Sequence, residues 1–520
     1  MKYLYSFLLS FIVLLGNAQI NPYSKVLWGE NDFGTQAYSS CQDFDNKTII
    51  IGEFAGINKS FIMKIDDEGN PIWTRTIIQE NNNFNPKLIN ITNTIDSCQF
   101  VLGSVYNQSN NNQDAFFAKI DRNGNFLWTK TNSLGGLVNV SETADSGFIL
   151  TGEHDFSSSV YQQLSVVKVT KNGSLEWSRI IRFGTALSKG LTVIQNDNGN
   201  YMVTGHYKNE NETKTTALLI ELSNTGEVNW SYGFNNPTIG YHYEIEDILI
   251  HNNEYYLLMH NQVNTILIKT DTLGNVLYAK EIISTYYNDM FYGINRKLHK
   301  NDQDELLFIH TDLDGGFIKT DLNCENIING TVFLPIIDIQ VKEQNKLLAI
   351  GNGPINGVKS TQPFPYETVG LIQMDSLGYG TECAYGSYQG YSEDFELQQL
   401  ETVYLVEGGG ISTNILFETG NIEMSQRNGC VDFIGGIDNS LENSVSIYPN
   451  PSQGWINFEM EVEIDGIISI INPLGQTIHQ ETIKQIQTKI DLNRFENGVY
   501  LYRIESDKVL ISSGRFILNK

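Results

Sequence analysis

Apolar and polar residues alternate through Phe61-Ile-Met-Lys-Ile65, break at Asp66-Asp-Glu-Gly69-Asn-Pro71, and resume at Ile72-Trp73. The alternation predicts a strand, a tight turn and a second strand opening on a tryptophan. The unit returns along the chain. Aligned on its turn glycine it gives Gly69, Gly124, Gly173, Gly226, Gly274, then Cys324 in the glycine's place, then Gly378, at spacings of 55, 49, 53, 48, 50 and 54. Four residues after these come Trp73, Trp128, Trp177, Trp230 and Tyr278, with Ile328 in the sixth unit. A period near 50 with four strands per unit predicts a β-propeller in which each unit is one blade. In the second unit the strands fall at 87–95, 99–103, 115–121 and 126–131, innermost to outermost.

The second strand of each unit is almost continuously apolar, as in Ile49-Ile50-Ile51 and Tyr201-Met202-Val203, which suits a strand covered on both faces. Third strands number seven, at Lys64, Lys119, Lys168, Glu221, Lys269, Lys319 and Gln373. The seventh has no tryptophan strand after it, whereas Val26-Leu27-Trp28 stands unclaimed before the first unit. Residues 25–29 are therefore expected to be the outermost strand of blade seven, closing the ring and removing an exposed edge. No helical period of useful length appears after residue 20, so the fold class is all-β: a seven-bladed propeller followed by a small sandwich.

The repeat resembles the tryptophan-docking repeat of quinoprotein dehydrogenases and their non-enzymatic propeller relatives, where an Asp, a turn Gly and a Trp recur in each blade. Here Asp66 to Gly69 and Asp121 to Gly124 are one residue shorter than in that family, and neither a vicinal cysteine pair nor a calcium-binding set accompanies them. The resemblance implies the fold without the enzyme's cofactor site.

From Val445 the pattern changes to short alternating strands that form a module of about 75 residues, the size of an Ig-like β-sandwich. Its markers are Tyr448-Pro449-Asn450-Pro451, Gly454, the turn at Gly475, Gly498 with Tyr500, and Arg515 in a basic and apolar end. In this order they resemble the type A C-terminal sorting domain of the type IX secretion system. That resemblance implies the type IX machinery as partner and passage through the outer membrane. It also implies removal of the module, with the remainder released or joined to surface lipopolysaccharide. At the other end, Leu4 to Leu15 is apolar and Gly16-Asn17-Ala18 supplies small residues, so residues 1–18 are expected to be a signal peptide. The expected division is 1–18 signal, 19–378 propeller, 379–444 an acidic β-rich connector and 445–520 sorting domain.

Charge adds one exclusion. The net −26 makes sequence-independent nucleic-acid binding a poor reading. Residues 379–444 hold 1 Arg against 11 acids, whereas 445–520 hold 7 Lys/Arg against 9. Of five cysteines, Cys383 and Cys430 bracket the acidic segment and are the candidate disulfide of an exported protein.

Catalytic patterns such as Gly-x-Ser-x-Gly or His-Glu-x-x-His are absent. His206, His242, His260 and His310 recur beside strand ends and are assigned to the repeat rather than to a metal; no metal or cofactor is expected. Short turns join first to second and third to fourth strands, so the variable loops all emerge on the other face. There Tyr241, His242, Tyr243, Tyr286, Tyr287, Phe291 and Tyr292 are the candidate ligand-binding residues. The expected function is an exported, non-enzymatic binding module for a glycan or protein, secreted or held at the outer-membrane surface. The alternative is an extracellular hydrolase or lyase with its site in the propeller funnel.

Overall fold

The computed structural model describes residues 24–29, 34–54, 59–78, 86–107, 112–155, 162–183, 187–261, 264–283, 297–310, 316–332, 334–353, 368–376, 379, 384–389, 391–402, 404–407, 412–414, 418–421, 424–428, 445–460, 466–472, 477–506 and 509–520. The expected signal peptide, Tyr286, Tyr287, Phe291, Tyr292, Cys383, Cys430 and Gly475 lie outside these residues.

Seven five-stranded antiparallel sheets make up the propeller. The first is Thr35–Gln42, Thr48–Phe54, Lys59–Ile65 and Pro71–Ile78, and the next five repeat this succession. The innermost strands of successive blades touch, and that of blade seven, Ile336–Val341, touches that of blade one, so the ring is closed. The seam is the one the tryptophan count predicts. Ser24–Gly29 pairs antiparallel with Val369–Met374, Leu27 opposite Val369 and Ser24 opposite Ile372.

The alternation of the second strands explains their apolar runs. Ile49 and Ile51 pack against Leu88, Ile91 and Val101 of blade two, whereas Ile50 between them packs against Leu348 and Ile350 of blade seven. Each side of the strand is the core of a different interface.

One expectation is corrected. The seven strands described between residues 384 and 428 belong to the propeller, whose expected end is residue 378. They form a belt that runs backwards around the propeller and adds a fifth, outer strand to every blade. Ala384–Gln389 joins blade six, Tyr391–Asp394 blade five, Gln398–Glu401 blade four, Tyr404–Glu407 blade three, Ser412–Asn414 blade two, Glu418–Asn421 blade one and Met424–Asn428 blade seven. Ser24–Gly29 is consequently the fourth of five strands, with Trp28 opposite Ser425 on its outer side. The physical reason is edge satisfaction, since a four-stranded blade ends in a row of unpaired backbone groups and the belt pairs them.

The tryptophans dock as the repeat predicts. A Cβ on Gly124 would lie 2.7 Å from the ring of Trp73, and the same holds for Gly173 under Trp128 at 2.7 Å, Gly226 under Trp177 at 2.9 Å and Gly274 under Trp230 at 2.8 Å. Each indole thus covers the turn of the following blade. Gly124 has φ of +79°, so it is required both by backbone conformation and by the close approach. In that turn Asp121 accepts hydrogen bonds from the N–H groups of Asn123 and Asn125, at 2.9 and 2.8 Å. Trp177 also donates its indole N–H to the Asn224 carbonyl at 3.2 Å.

A second repeated feature is a buried lysine on the third strand. Lys64 meets Asp43 at 2.6 Å, Lys119 meets Asp96 at 2.6 Å, Lys168 meets Asp145 at 2.9 Å and Lys319 meets Glu305 at 3.2 Å. Blade four exchanges the sense: Glu221 accepts from the amides of Asn196 and Asn200, at 3.0 and 3.1 Å.

The C-terminal module is a sandwich of a three-stranded and a four-stranded sheet around Phe458, Ile468, Ile470, Tyr502, Ile504 and Phe516. Its signature residues fasten the end of the chain. Asn450 accepts from the Ile517 N–H at 2.9 Å, Ser452 donates its N–H to the Ile517 carbonyl at 2.6 Å, and the Tyr500 ring stacks on Phe516. Gly454, at φ +115°, leaves room for the Asn493 side chain. Tyr448 donates to Glu459 at 2.8 Å. Arg515 is exposed opposite Leu501.

Candidate functional site: the axial cavity

The seven innermost strands enclose a cavity of about 500 Å³. In six of them the ladder slips by one residue at the same place, after Ala37, Leu88, Leu137, Gly190, Ile245 and Ile336. A bulge there re-aims the residues that follow it. Those residues are Ser39, Asn90, Asn139, Thr192, Asp247 and Asp338. Lys297 holds the place in blade six, four residues before Asn301 as Ser39 stands four before Asp43. All seven are polar.

Most reach to the next blade. Asn90 donates to the Val138 carbonyl at 3.3 Å, and Thr192 to the Glu246 carbonyl at 2.8 Å. Asn139 accepts from the Val193 N–H at 3.2 Å, Asp247 from the Leu298 N–H at 2.7 Å, and Asp338 from the Ser40 N–H at 3.2 Å and its hydroxyl at 2.6 Å. Lys297 reaches furthest, donating to Asp338 at 2.9 Å and, two blades on, to the Ser40 carbonyl at 3.0 Å. The inner strands of blades one, three, four, five and six are thus each clasped at a backbone atom by a side chain of the blade before.

The wall is electrically lopsided. Blades two to four contribute neutral groups, Asn90, Asn93, Asn139, Ser141 and Thr192, whereas blades five to seven contribute Glu246, Asp247, Lys297, His299 and Asp338. Asp338 is buried, which would raise its pKa, but Lys297 and His299, the latter 3.4 Å away, hold it well below the carboxylate range. Asp247 goes the other way: burial pushes it up, and the Leu298 N–H offsets this only in part. Burial likewise lifts the Cys41 thiol, on the same wall, to about 12. Cys41, Cys98 and Cys324 are free thiols.

The aromatic candidates separate. Tyr243 is 1% exposed and its ring lies in the core between blades four and five, facing Phe395 of the belt at 6.3 Å. That burial removes it from the ligand-binding set. Tyr241 packs half-buried against the same core. His242 sets Nδ1 3.3 Å from the Thr215 N–H, and its pKa is lowered by burial and by Lys214 and Lys208. The sequence reading passed over the cavity wall because single Asn, Asp and Lys residues on inner strands resemble solvent-facing alternation. The signal was there in register: a polar residue four before the first turn residue of blade after blade.

The module behind the propeller decides the destination of the chain. Its two sheets hold Tyr448 to Pro451, Gly454, Gly498 and Tyr500 in one fold, with Asn450 and Ser452 bound to the terminal strand. Residues 446–519 match the secretion system C-terminal sorting domain. The sorting domain carries a type IX address, so the protein is exported to the cell surface or beyond. No helix among the described residues is long and apolar enough to cross a membrane.

No curated protein matches the chain. Among solved structures it is similar to PorZ, an essential bacterial surface component of the type IX secretion system of Porphyromonas gingivalis, at 10% identity over 94% of this chain and 82% of that one, TM-score 0.17. A virginiamycin B lyase from Staphylococcus aureus aligns at 10% identity over 67% and 99%, TM-score 0.33. The GH93 α-L-arabinofuranosidase of Fusarium graminearum aligns at 10% over 68% and 98%, TM-score 0.36. Likenesses this distant say nothing of the chemistry of this chain.

Proposed function

We propose that the protein is an exported recognition module without catalytic activity, and that its propeller binds the polar end of a glycan in the axial cavity. The observation that supports this reading is the clasp. Asn90, Asn139 and Thr192 are each fixed by one polar atom to the backbone of the next blade, so their orientation is set before any ligand arrives. Preorganised donors and acceptors in a concave site of this size suit hydroxyl-rich ligands. Asp338 is committed to Lys297 and Ser40, and so is not placed to serve as an acid or base.

The sorting domain supports a surface or secreted location and contact with the type IX machinery. Attachment to surface lipopolysaccharide after its removal belongs to the same reading.

A second reading, an extracellular hydrolase or lyase, has one observation in its favour: Asp247 is a cavity carboxyl with a raised pKa, as general acids are. The purified secreted protein, screened against glycans, separates the two. Binding that is lost when Thr92→Trp fills the cavity, with ligand recovered unchanged, supports recognition. Turnover abolished by Asp247→Asn supports the enzyme. Glycan binding that persists in Thr92→Trp sinks the cavity as the site.

A further inference from the structure

Blade five departs from the repeat at a place the fold does not require. Glu244 stands directly across the ladder from His260, and Glu246, the extra residue of the inner-strand bulge, lies two positions on. Residues two apart on a strand share a side. A carboxylate oxygen from each glutamate and a ring nitrogen of His260 all lie within 4.8 Å of one another. His260 is buried and both glutamates are half-buried. From blade four, His206 sets Nδ1 3.1 Å from the Glu244 carboxylate.

Part of this arrangement belongs to the repeat. Lys87 faces Glu53 across one blade seam at 3.9 Å, and Lys189 faces Glu153 across another at 3.7 Å. The contact of Glu244 with His206 uses the same two positions with the charges exchanged. His260 holds in blade five the position that His206 holds in blade four, so Glu246 is what the repeat does not explain. The bulge position held by Glu246 is Tyr38, Ile89, Val138, Leu191 and Ile337 in five other blades. Only in blade five of these six is it an acid, and there a second carboxylate and a buried imidazole adjoin it. Two carboxylates so close repel each other unless a cation or a proton lies between them.

We propose that Glu244, Glu246 and His260 bind a divalent transition-metal ion of the zinc class, with His206, 3.1 Å from Glu244, as a positioning partner. One imidazole nitrogen and two carboxylate oxygens are donors that such ions accept, and three protein ligands leave a coordination position open. Tetrahedral bonds of about 2.0–2.2 Å separate ligand atoms by roughly 3.3 Å. The present spread, within 4.8 Å, exceeds that by about 1.5 Å at most. Calcium fits poorly, because it takes six to eight oxygens and His260 offers none. Glu246 also lines the axial cavity, so the ion would sit at its wall.

The test uses untagged secreted protein stripped with a chelator and titrated with Zn²⁺, with Co²⁺ as a spectroscopic substitute. One equivalent is expected to bind, with cobalt giving the visible absorption of a low-coordinate site. Glu246→Gln, close to isosteric, is expected to lose about 100-fold or more in affinity. His206→Ala, as an orienting partner, loses about 10- to 100-fold. Circular dichroism and melting of the metal-free forms establish that the variants are folded; should His260→Gln fail there, Glu246→Gln carries the test alone. Absence of stoichiometric binding, or equal affinity in wild type and Glu246→Gln, overturns the site. Glycan binding measured with and without chelator is a separate readout, so a failed metal site leaves the recognition reading standing.

Discussion

At the scale of the residue, the repeat is legible because it consists of matched pairs. Blade six shows the rule by breaking it. Where four other seams put Trp over Gly, the seam into blade six has Tyr278 of blade five donating to the Leu322 carbonyl at 2.7 Å and Cys324 in the turn at φ +59°. The smaller ring leaves room for a side chain at the turn. Tyr278→Trp should therefore destabilise the protein, Cys324→Gly should cost little, and the double variant should recover part of the loss. A coupling of about 1 kcal/mol or more is expected for groups in contact. Strict additivity in urea melts of the four proteins would argue that the two positions do not touch. The buried lysines allow a second prediction, on acid stability. Burial pushes Asp145 up, but the Thr143 hydroxyl, Lys168 and the Gly147 N–H outweigh it and hold its pKa at about 2. A carboxyl depressed on folding contributes stability above its unfolded pKa, near 4, and loses it as pH falls toward 2. The urea midpoint should fall over that window, and less steeply in Asp145→Asn. Parallel curves for the two proteins would sink the assignment.

At the scale of the element, the four inner strands of each blade could be read from the sequence and the fifth could not. Alternation and a turn glycine mark a strand when one face is buried against a neighbouring blade. The belt strands are three to six residues long and lie at the rim, so burial dictates little of their sequence; what shows is Gly, Glu and Asn, which reads as a connector. The cavity wall was missed for the complementary reason. Asn90, Thr192 and Asp338 are polar because they clasp backbone, and clasping leaves no period longer than one blade. The closing strand, by contrast, followed from counting. It also makes the sharpest prediction at this scale. Deleting residues 19–30 removes a partner of both Val369–Met374, which keeps only Leu347–Asn352, and Met424–Asn428, so two ladders are lost at once. The variant is expected to melt at lower temperature and to aggregate, whereas a deletion at a free edge would shed one ladder only. Unchanged melting would mean the strand is dispensable.

At the scale of the whole molecule, the propeller ends at Asn428 and the sorting domain begins at Val445. A chain ending at residue 444 should keep all seven five-stranded blades and lose only its address. Cell fractionation is expected to find it folded and protease-resistant in the periplasm, while release to the medium at the wild-type level would contradict the sorting assignment. The belt has a further consequence, in time rather than in space. Lys25 pairs with Asn428, so about 400 residues must be made after the first strand before its outer neighbour exists. At roughly 5–20 residues per second that is about 20–80 s of synthesis. Through that interval the earliest strand lacks its outer partner, and the sheet of blade seven can be completed only when nearly all of the propeller has been made.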